Sequence, residues 1–118
     1  MPDLTHILER LEAFEDRAGV RLSALYAKLD GNSGWTINGK FESGIRINGE
    51  LHPREGTNLT KSLKLVADAY DESGRLICTT SDHFNQETFF GFETFSLLVG
   101  GVPTKQITKI RIYPKLGW

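Results

Sequence analysis

Apolar residues recur at every third or fourth position near the start of the chain, which predicts an amphipathic helix over residues 3–18. Asp3 is suited to cap its first turn, and Gly19 can adopt the left-handed conformation that ends a helix. We expect the apolar stripe to bury against the sheet of the same domain or, alternatively, against a second subunit. The stripe consists of Leu4, Ile7, Leu8, Leu11, Phe14 and Ala18.

From Trp35 onward apolar and polar residues alternate, which is the period of a β-strand. Residues 20–29 fit both a helix and a strand, but the turn-forming residues 31–34 that follow them favour a strand. The complete set of predicted strands is 20–29, 35–41, 45–51, 63–70, 75–80, 92–99 and 107–113.

Two Asn-Gly pairs occur in the similar strings TINGKF and RINGEL, at Asn38-Gly39 and Asn48-Gly49. Asn-Gly often forms a two-residue hairpin turn, but turns at both sites would leave strands of about three residues. The sequence therefore predicts that both glycines lie inside strands and that the chain turns at residues 42–44.

A second hairpin turn is predicted at residues 71–74, between strands 63–70 and 75–80, with a polar loop over residues 81–90 after it. In the first of these strands the residues expected to face the core are Leu63, Leu65 and Ala67. In the last strand of the chain Ile110 and Ile112 are expected to face inward.

Six or seven short strands in 118 residues are typical of a β-sandwich. The length suits one domain, so we expect a single domain over residues 1–118, with a sandwich over about residues 20–114. Residues 45–113 resemble the FxLYD-type immunoglobulin-like domains in the stretches IRINGEL (45–51), LKLVADAYDESGRLI (63–77) and FETFSLLV (92–99). The resemblance implies an antiparallel immunoglobulin-like sandwich that serves as a binding or accessory module.

The formal net charge of −1 offers no overall attraction for nucleic acid or anionic lipid. No apolar run approaches the ~20 residues of a membrane span, and the first residues lack the pattern of a secretion signal. The single cysteine, Cys78, suits a reducing compartment. We therefore expect a cytoplasmic protein without membrane insertion or a nucleic-acid partner.

The last nineteen residues carry four basic groups and no acidic group. Such a tail can contact phosphate, but lysines also occur on edge strands, where they discourage pairing with other chains, and we favour this second interpretation. The four residues are Lys105, Lys109, Arg111 and Lys115.

Residues of catalytic or metal-binding type occur without the spacing that their chemistry requires. Cys78 is expected to be an inert thiol within a strand. Asp30-x-Asn32-x-Gly34 begins like a calcium loop, but Trp35 and Phe41 stand where that loop needs glycine and glutamate. We therefore expect no cofactor, no metal and no enzymatic activity.

Histidines and carboxylates give the same expectation. His52, Asp82 and His83 can share a loop rim, but they lack the spacing of a zinc site. A glycosidase needs two acidic residues that face each other across a cleft. Acidic residues occur near the predicted hairpin and near the phenylalanine cluster, but the sequence gives no sign of a cleft between them. These acidic residues are Asp68, Asp71, Glu72, Glu87 and Glu93.

Five phenylalanines fall within the twelve residues 84–95. A strand period places Phe90 and Phe92 on one face and Phe89 and Phe95 on the other, so one core cannot easily bury them all. We favour burial of all of them by the helix and the two sheet faces, and any that stay exposed would mark a protein or sugar contact. The expected interaction surface is Leu4, Leu8, Leu11, Phe84, Phe89, Phe90 and Phe92.

The favoured function is that of a non-enzymatic binding or assembly module that acts through the helix or the phenylalanine-rich strand. Its expected partner is a protein, either a second copy in a homo-oligomer or a different chain. One alternative is a carbohydrate-binding accessory domain that uses Trp35, Tyr70 or Trp118. A less favoured alternative is a small hydrolase with a site around His52 and His83.

Overall fold

The computed structural model describes residues 3–117. It is mainly β, with 59% of residues in strands and 11% in helices. Two short 3-10 turns occur at Thr5–Ile7 and Thr104–Gln106. The remaining elements are β1 (Leu8–Arg10), α1 (Glu12–Ala18), β2 (Val20–Ile37), β3 (Lys40–Pro53), β4 (Leu63–Tyr70), β5 (Leu76–Phe84), β6 (Glu93–Val99) and β7 (Lys109–Leu116).

The strands form two sheets, one of four strands in the order β1-β7-β4-β5 and one of three in the order β2-β3-β6. The hairpin β2–β3 lies in the three-stranded sheet, and the hairpin β4–β5 lies in the four-stranded sheet. The chain then returns to the three-stranded sheet with β6 and to the four-stranded sheet with β7. Every neighbouring pair of strands is antiparallel except β1 and β7, which run parallel with Leu8 opposite Ile110. The prediction of a mainly β chain is confirmed.

Both sheets contribute to one hydrophobic core, because alternate residues of each strand point to the same face. In β4 the predicted inward residues Leu63, Leu65 and Ala67 are fully buried. In β7 the same holds for Ile110 and Ile112. Removing one large apolar side chain of this kind from water contributes about 2 kcal/mol.

The predicted helix over residues 3–18 is wrong for its first half, since only residues 12–18 are α-helical. Leu8–Arg10 instead form a strand beside β7, and the Leu11 N–H continues the pairing by donating to the Ile112 carbonyl at 3.2 Å. A short helix is marginal by itself, whereas the open edge of β7 offers backbone hydrogen-bond partners. The helix ends as predicted, with Gly19 left-handed at φ +71°.

The helical part of the predicted stripe packs within the same chain. Ala18 is buried, and Phe14 lies against Tyr113 of β7 with 5.2 Å between ring centres. Leu4 and Leu8, which precede the helix, are half-buried against the core. The stripe therefore packs on β structure even though only its second half is helical.

The predicted turns at residues 31–34 and 42–44 are wrong, because both stretches lie within the long hairpin β2–β3. The register of β2 shifts between Asp30 and Gly34, which accommodates the extra residues as an irregularity within the strand. The chain turns instead at Asn38-Gly39, so the prediction that Gly39 lies inside a strand is also wrong. Both residues of this turn are left-handed (φ +52° and +79°). This is the conformation that a two-residue hairpin turn requires.

The second Asn-Gly pair lies inside β3, as predicted. A Cβ at Gly49 would lie 2.7 Å from Phe95 Cζ and 2.8 Å from Leu25 Cδ2, so any larger residue there would have to displace these two side chains. The part of β3 that pairs with β6 runs from Ile45 to Leu51. Within the described residues, the tip of the hairpin, residues 34–43, has no third strand beside it and forms a two-stranded ribbon.

The predicted hairpin between β4 and β5 is confirmed, with its turn at residues 71–74. The Asp71 carboxylate accepts hydrogen bonds from the Arg75 and Ser73 N–H groups at 3.0 Å each, and these bonds lower the pKa of Asp71. The expected loop from residue 81 begins later, because β5 continues to Phe84.

Candidate binding surface

The loop between β5 and β6, residues 85–92, runs beside the loop between β3 and β4, residues 54–62. The Gly91 N–H donates to the Thr57 carbonyl at 2.7 Å, and the Gln86 N–H donates to Ser62 Oγ at 2.8 Å. Phe89 is buried and meets Phe84 edge to face, with 6.3 Å between ring centres. The loop is therefore held at both of its ends and by an apolar side chain in the core.

Two aromatic side chains project from this anchored loop. Phe90 is 75% exposed and Phe92 is 50% exposed. The Phe92 ring stacks on His52 of β3, with 5.0 Å between ring centres and 10° between the planes. We call Phe90, Phe92 and His52 the aromatic end.

The residues of the predicted interaction surface do not share one exposed face in the structure. Phe84 and Phe89 are buried, and Leu4, Leu8 and Leu11 are half-buried. Only Phe90 and Phe92 of that set are largely exposed. The sequence pattern placed these two rings on one face of a strand, whereas they lie in the loop before β6, and it did not show that solvent reaches them.

A second feature is a depression of about 430 Å³ on the outer face of the three-stranded sheet. Ala24 has a left-handed backbone (φ +53°), and the register of β2 shifts between Ser23 and Tyr26. The Tyr26 ring beyond this bulge is 44% exposed. We call the depression the sheet groove; its lining residues are Ala24, Tyr26, Asn48, Gly49, Glu50, Thr94, Phe95 and Ser96.

Glu50 connects the sheet groove with the aromatic end. His52 Nε2 lies 3.0 Å from Glu50 Oε1, and the Ser23 hydroxyl lies 3.4 Å from the same oxygen. The sequence analysis missed this groove. Polar residues recur at every second position in two strands, at Asn48 and Glu50 and at Thr94 and Ser96. This recurrence was the signal that could have indicated a polar sheet face.

The outer face of the four-stranded sheet carries a hydrogen-bonded network. The Asp68 carboxylate accepts from the Thr79 hydroxyl at 2.6 Å and from the Tyr113 hydroxyl at 2.7 Å. Burial, followed by the neighbouring Asp68 carboxylate, raises the pKa of Tyr113 to about 12. The partners satisfy one another, which favours a structural role for this network.

The basic residues near the end of the chain do not form one patch. Glu9 pairs with Arg111 at 3.0 Å and with Lys109 at 3.6 Å, which offsets part of their charge. Lys115 lies opposite Lys64 of β4, whereas Lys105 belongs to the second 3-10 turn. Phosphate binding gains no support from this arrangement.

The aromatic residues of the predicted sugar site are partly engaged elsewhere. The Trp35 ring lies against Gly44 and Gly100, where a side chain would collide with it. The Arg111 guanidinium lies 5.1 Å from the centre of the Tyr70 ring. Trp118 lies outside the described residues.

The remaining candidate residues are also distributed over the fold. His52 lies in β3, whereas Asp82 and His83 lie in β5 of the other sheet. The thiol of Cys78 donates to the Gly100 carbonyl at 2.9 Å. Asp30 lies in β2, where the Asn32 N–H lowers its pKa and Arg46 pairs with it at 3.1 Å.

Comparisons of the chain with protein-family models, curated proteins and solved structures find no match. Within residues 3–117, no three histidine, cysteine, aspartate or glutamate side chains are grouped to hold a metal ion. No helix in this part of the chain has the length and apolar character needed to cross a bilayer. The exposed aromatic end and the sheet groove are the two candidate binding features of the fold.

Proposed function

We propose that the protein is a non-enzymatic binding module whose aromatic end binds a second copy of the chain. The observation that carries the proposal is the 75% exposure of Phe90 on a loop that is hydrogen-bonded to its neighbour. Burying such a ring on association contributes about 2 kcal/mol. Because the loop is already ordered, little conformational entropy is lost when the partner binds.

The charges around the aromatic end suit a symmetric contact. The loops 54–62 and 85–92, which flank the aromatic end, together carry two basic and two acidic residues, so these two loops have no net formal charge. Two copies related by a two-fold axis can therefore approach without net repulsion, and opposite charges can face each other. The four residues are Arg54, Lys61, Glu55 and Glu87.

We further propose that the two sheets form an immunoglobulin-like sandwich and that the protein works in the cytoplasm. Two features support the immunoglobulin-like sandwich. The hairpin β4–β5 lies in the stretch that resembles FxLYD-type domains, and the chain passes from one sheet to the other more than once. The parallel pair β1–β7 departs from a wholly antiparallel sandwich. The free thiol of Cys78 suits a reducing compartment.

Light scattering at high protein concentration tests the self-association. The expected mass is that of a dimer or higher oligomer in both about 0.05 M and about 1 M salt, because apolar burial is not screened. Phe90→Ser is expected to give a monomer. Phe41→Ser is the matched control, since Phe41 is 55% exposed on the ribbon, and this variant should keep the mass of the natural chain.

A monomeric natural chain in both salt conditions would overturn self-association and leave a different protein as the partner. A mass that falls steeply with salt would instead indicate an electrostatic contact, and it would also contradict the aromatic end as the interface.

A further inference from the structure

We infer that the sheet groove is a binding site for a neutral oligosaccharide. This inference concerns a different set of residues from the self-association of the aromatic end and does not depend on it. The groove is an open surface depression of about 430 Å³, and it combines an exposed tyrosine with polar side chains on adjacent strands.

The Tyr26 ring provides the apolar surface of the site. The bulge at Ala24 and the register shift that follows it set the position of this ring at the edge of the sheet face. Lys28 Nζ lies 5.9 Å from the ring centre, and Tyr26 nevertheless remains 44% exposed. A sugar ring presents C–H groups on its faces, and these pack on an aromatic ring of this exposure.

The polar groups of the groove stand in matching rows. Tyr26, Asn48 and Ser96 lie opposite one another across the three strands. Glu50 and Thr94 form the next row, in which Ser23 of β2 lies opposite Glu50 just outside the lining. Asn48 and Glu50 are two residues apart on one face, a separation of about 7 Å along the strand, which is the scale of one sugar ring.

Some of these polar groups are available to a ligand. Among the described residues, the Asn48 amide and the Thr94 hydroxyl make no side-chain hydrogen bond. Glu50 uses Oε1 for its contacts with His52 and Ser23, and its Oε2 has no such contact in residues 3–117. The groove thus offers an amide donor, a hydroxyl and a carboxylate oxygen, which together suit the neighbouring hydroxyl groups of a sugar.

The composition of the groove favours a neutral ligand over an anion or a protein. Glu50 is the one ionisable residue of its lining besides Tyr26. Two cations lie beside it, and each has an acidic counterpart: Arg46, which donates to Ser96 Oγ at 3.3 Å, pairs with Asp30 at 3.1 Å, and the charge of Lys28 beside the Tyr26 ring is offset by that of Glu50. The groove therefore presents no net charge that would favour an anion. Tyr26 is its one largely exposed large apolar side chain, since Phe95 is buried. The cluster of apolar anchors that is typical of a protein interface is therefore missing from this lining.

Amide chemical shifts of the ¹⁵N-labelled chain test the inference, with cellohexaose, maltohexaose and mannohexaose as the probes. At least one of the three is expected to shift the amides of residues 23–26, 48–50 and 94–96, with a dissociation constant of about 1 mM or lower. Tyr26→Ala should weaken this binding about tenfold or more. Asn48→Ala should weaken it about three- to tenfold.

Matched variants separate the site from effects on folding and from self-association. Tyr26→Phe keeps the ring and should retain most of the binding, whereas Phe41→Ala removes an exposed ring elsewhere and should change nothing. Phe90→Ser should also leave sugar binding intact. The inference is overturned if none of the probes shifts the groove amides at about 10 mM, or if the shifts gather at the aromatic end instead.

Discussion

The Arg10 guanidinium donates two hydrogen bonds to the Glu15 carboxylate, from Nη2 to Oε1 at 2.6 Å and from Nε to Oε2 at 3.0 Å. Glu15 is fully buried. Its Oε1 also accepts from the Leu22 N–H at 3.0 Å, and Arg10 Nη2 donates to the Leu22 carbonyl at 2.6 Å. The pair thus connects β1 of one sheet, the helix α1 and β2 of the other sheet.

Removing the carboxylate should destabilise the fold. Glu15→Ala leaves the Arg10 charge and the Leu22 N–H without their partner, so the free energy of unfolding should fall by about 3 kcal/mol in urea denaturation. Glu12→Ala, an exposed position on the same helix, should change it by less than about 0.5 kcal/mol. Equal effects of the two variants would contradict a structural role for the pair.

Adjacent phenylalanines should differ in their contribution to stability. Phe89→Ala removes a buried ring that contacts Phe84, and it should lower the free energy of unfolding by about 3 kcal/mol. Phe90→Ala should change it by less than about 0.5 kcal/mol, because its ring already faces solvent. Urea denaturation at low protein concentration, where self-association does not contribute, measures both. A larger loss for Phe90→Ala would show that the loop is arranged differently.

The two Asn-Gly pairs should respond differently to alanine. Gly39→Ala places a side chain at φ +79° with open space around it, and it should cost about 1 kcal/mol within the ribbon. Gly49→Ala brings a Cβ to 2.7 Å from Phe95 Cζ and should cost about 2 kcal/mol of global stability. Hydrogen exchange separates the two effects, because Gly39→Ala should accelerate exchange only in residues 34–43. Faster exchange throughout the Gly39 variant would contradict this assignment.

Tyr113 should titrate with a pKa of about 12. Replacing Tyr26 and Tyr70 by phenylalanine leaves Tyr113 as the one tyrosine, so phenolate absorbance reports it alone. Tyr70 is the smallest of the causes that raise the pKa of Tyr113, so its replacement should lower this pKa only slightly. Adding Asp68→Asn should lower the pKa but leave it above 10.0, since burial is the larger cause and Asp68 the smaller.

Because folding raises this pKa, the corresponding stability is fully present below pH 10 and is lost as the pH rises through about 12. Circular dichroism over the same range establishes that the titrating species is folded. An apparent pKa of 10.0 in the folded chain would contradict the burial of this hydroxyl.

Much of the four-stranded sheet could be predicted from local patterns. The alternation in residues 63–70 predicted the buried faces of Leu63 and Leu65 correctly, because side chains of a strand point to opposite sides whatever the strand pairs with. The turn at residues 71–74 was also predictable, since an aspartate side chain satisfies the backbone of its own turn.

The candidate sites depend more strongly on long-range contacts. The sequence indicated that the phenylalanine cluster divides between two faces, but only the packing of Phe89 against Phe84 decides that Phe90 is exposed. The sheet groove combines Tyr26 of β2, Asn48 of β3 and Thr94 of β6. No local pattern reports such a juxtaposition, because strand order and register are tertiary properties.

The mainly β character, the inward faces of β4 and β7 and the end of α1 at Gly19 follow from the residue pattern alone. These depend on side-chain period and on the conformational freedom of glycine, which are local. Tertiary structure decided that Leu8 lies in a strand and that only one Asn-Gly pair forms a turn. The open edge of β7 supplies hydrogen-bond partners to residues 8–10, and the Phe95 ring fills the space beside Gly49, so contacts distant in sequence outweighed the local preference in both places.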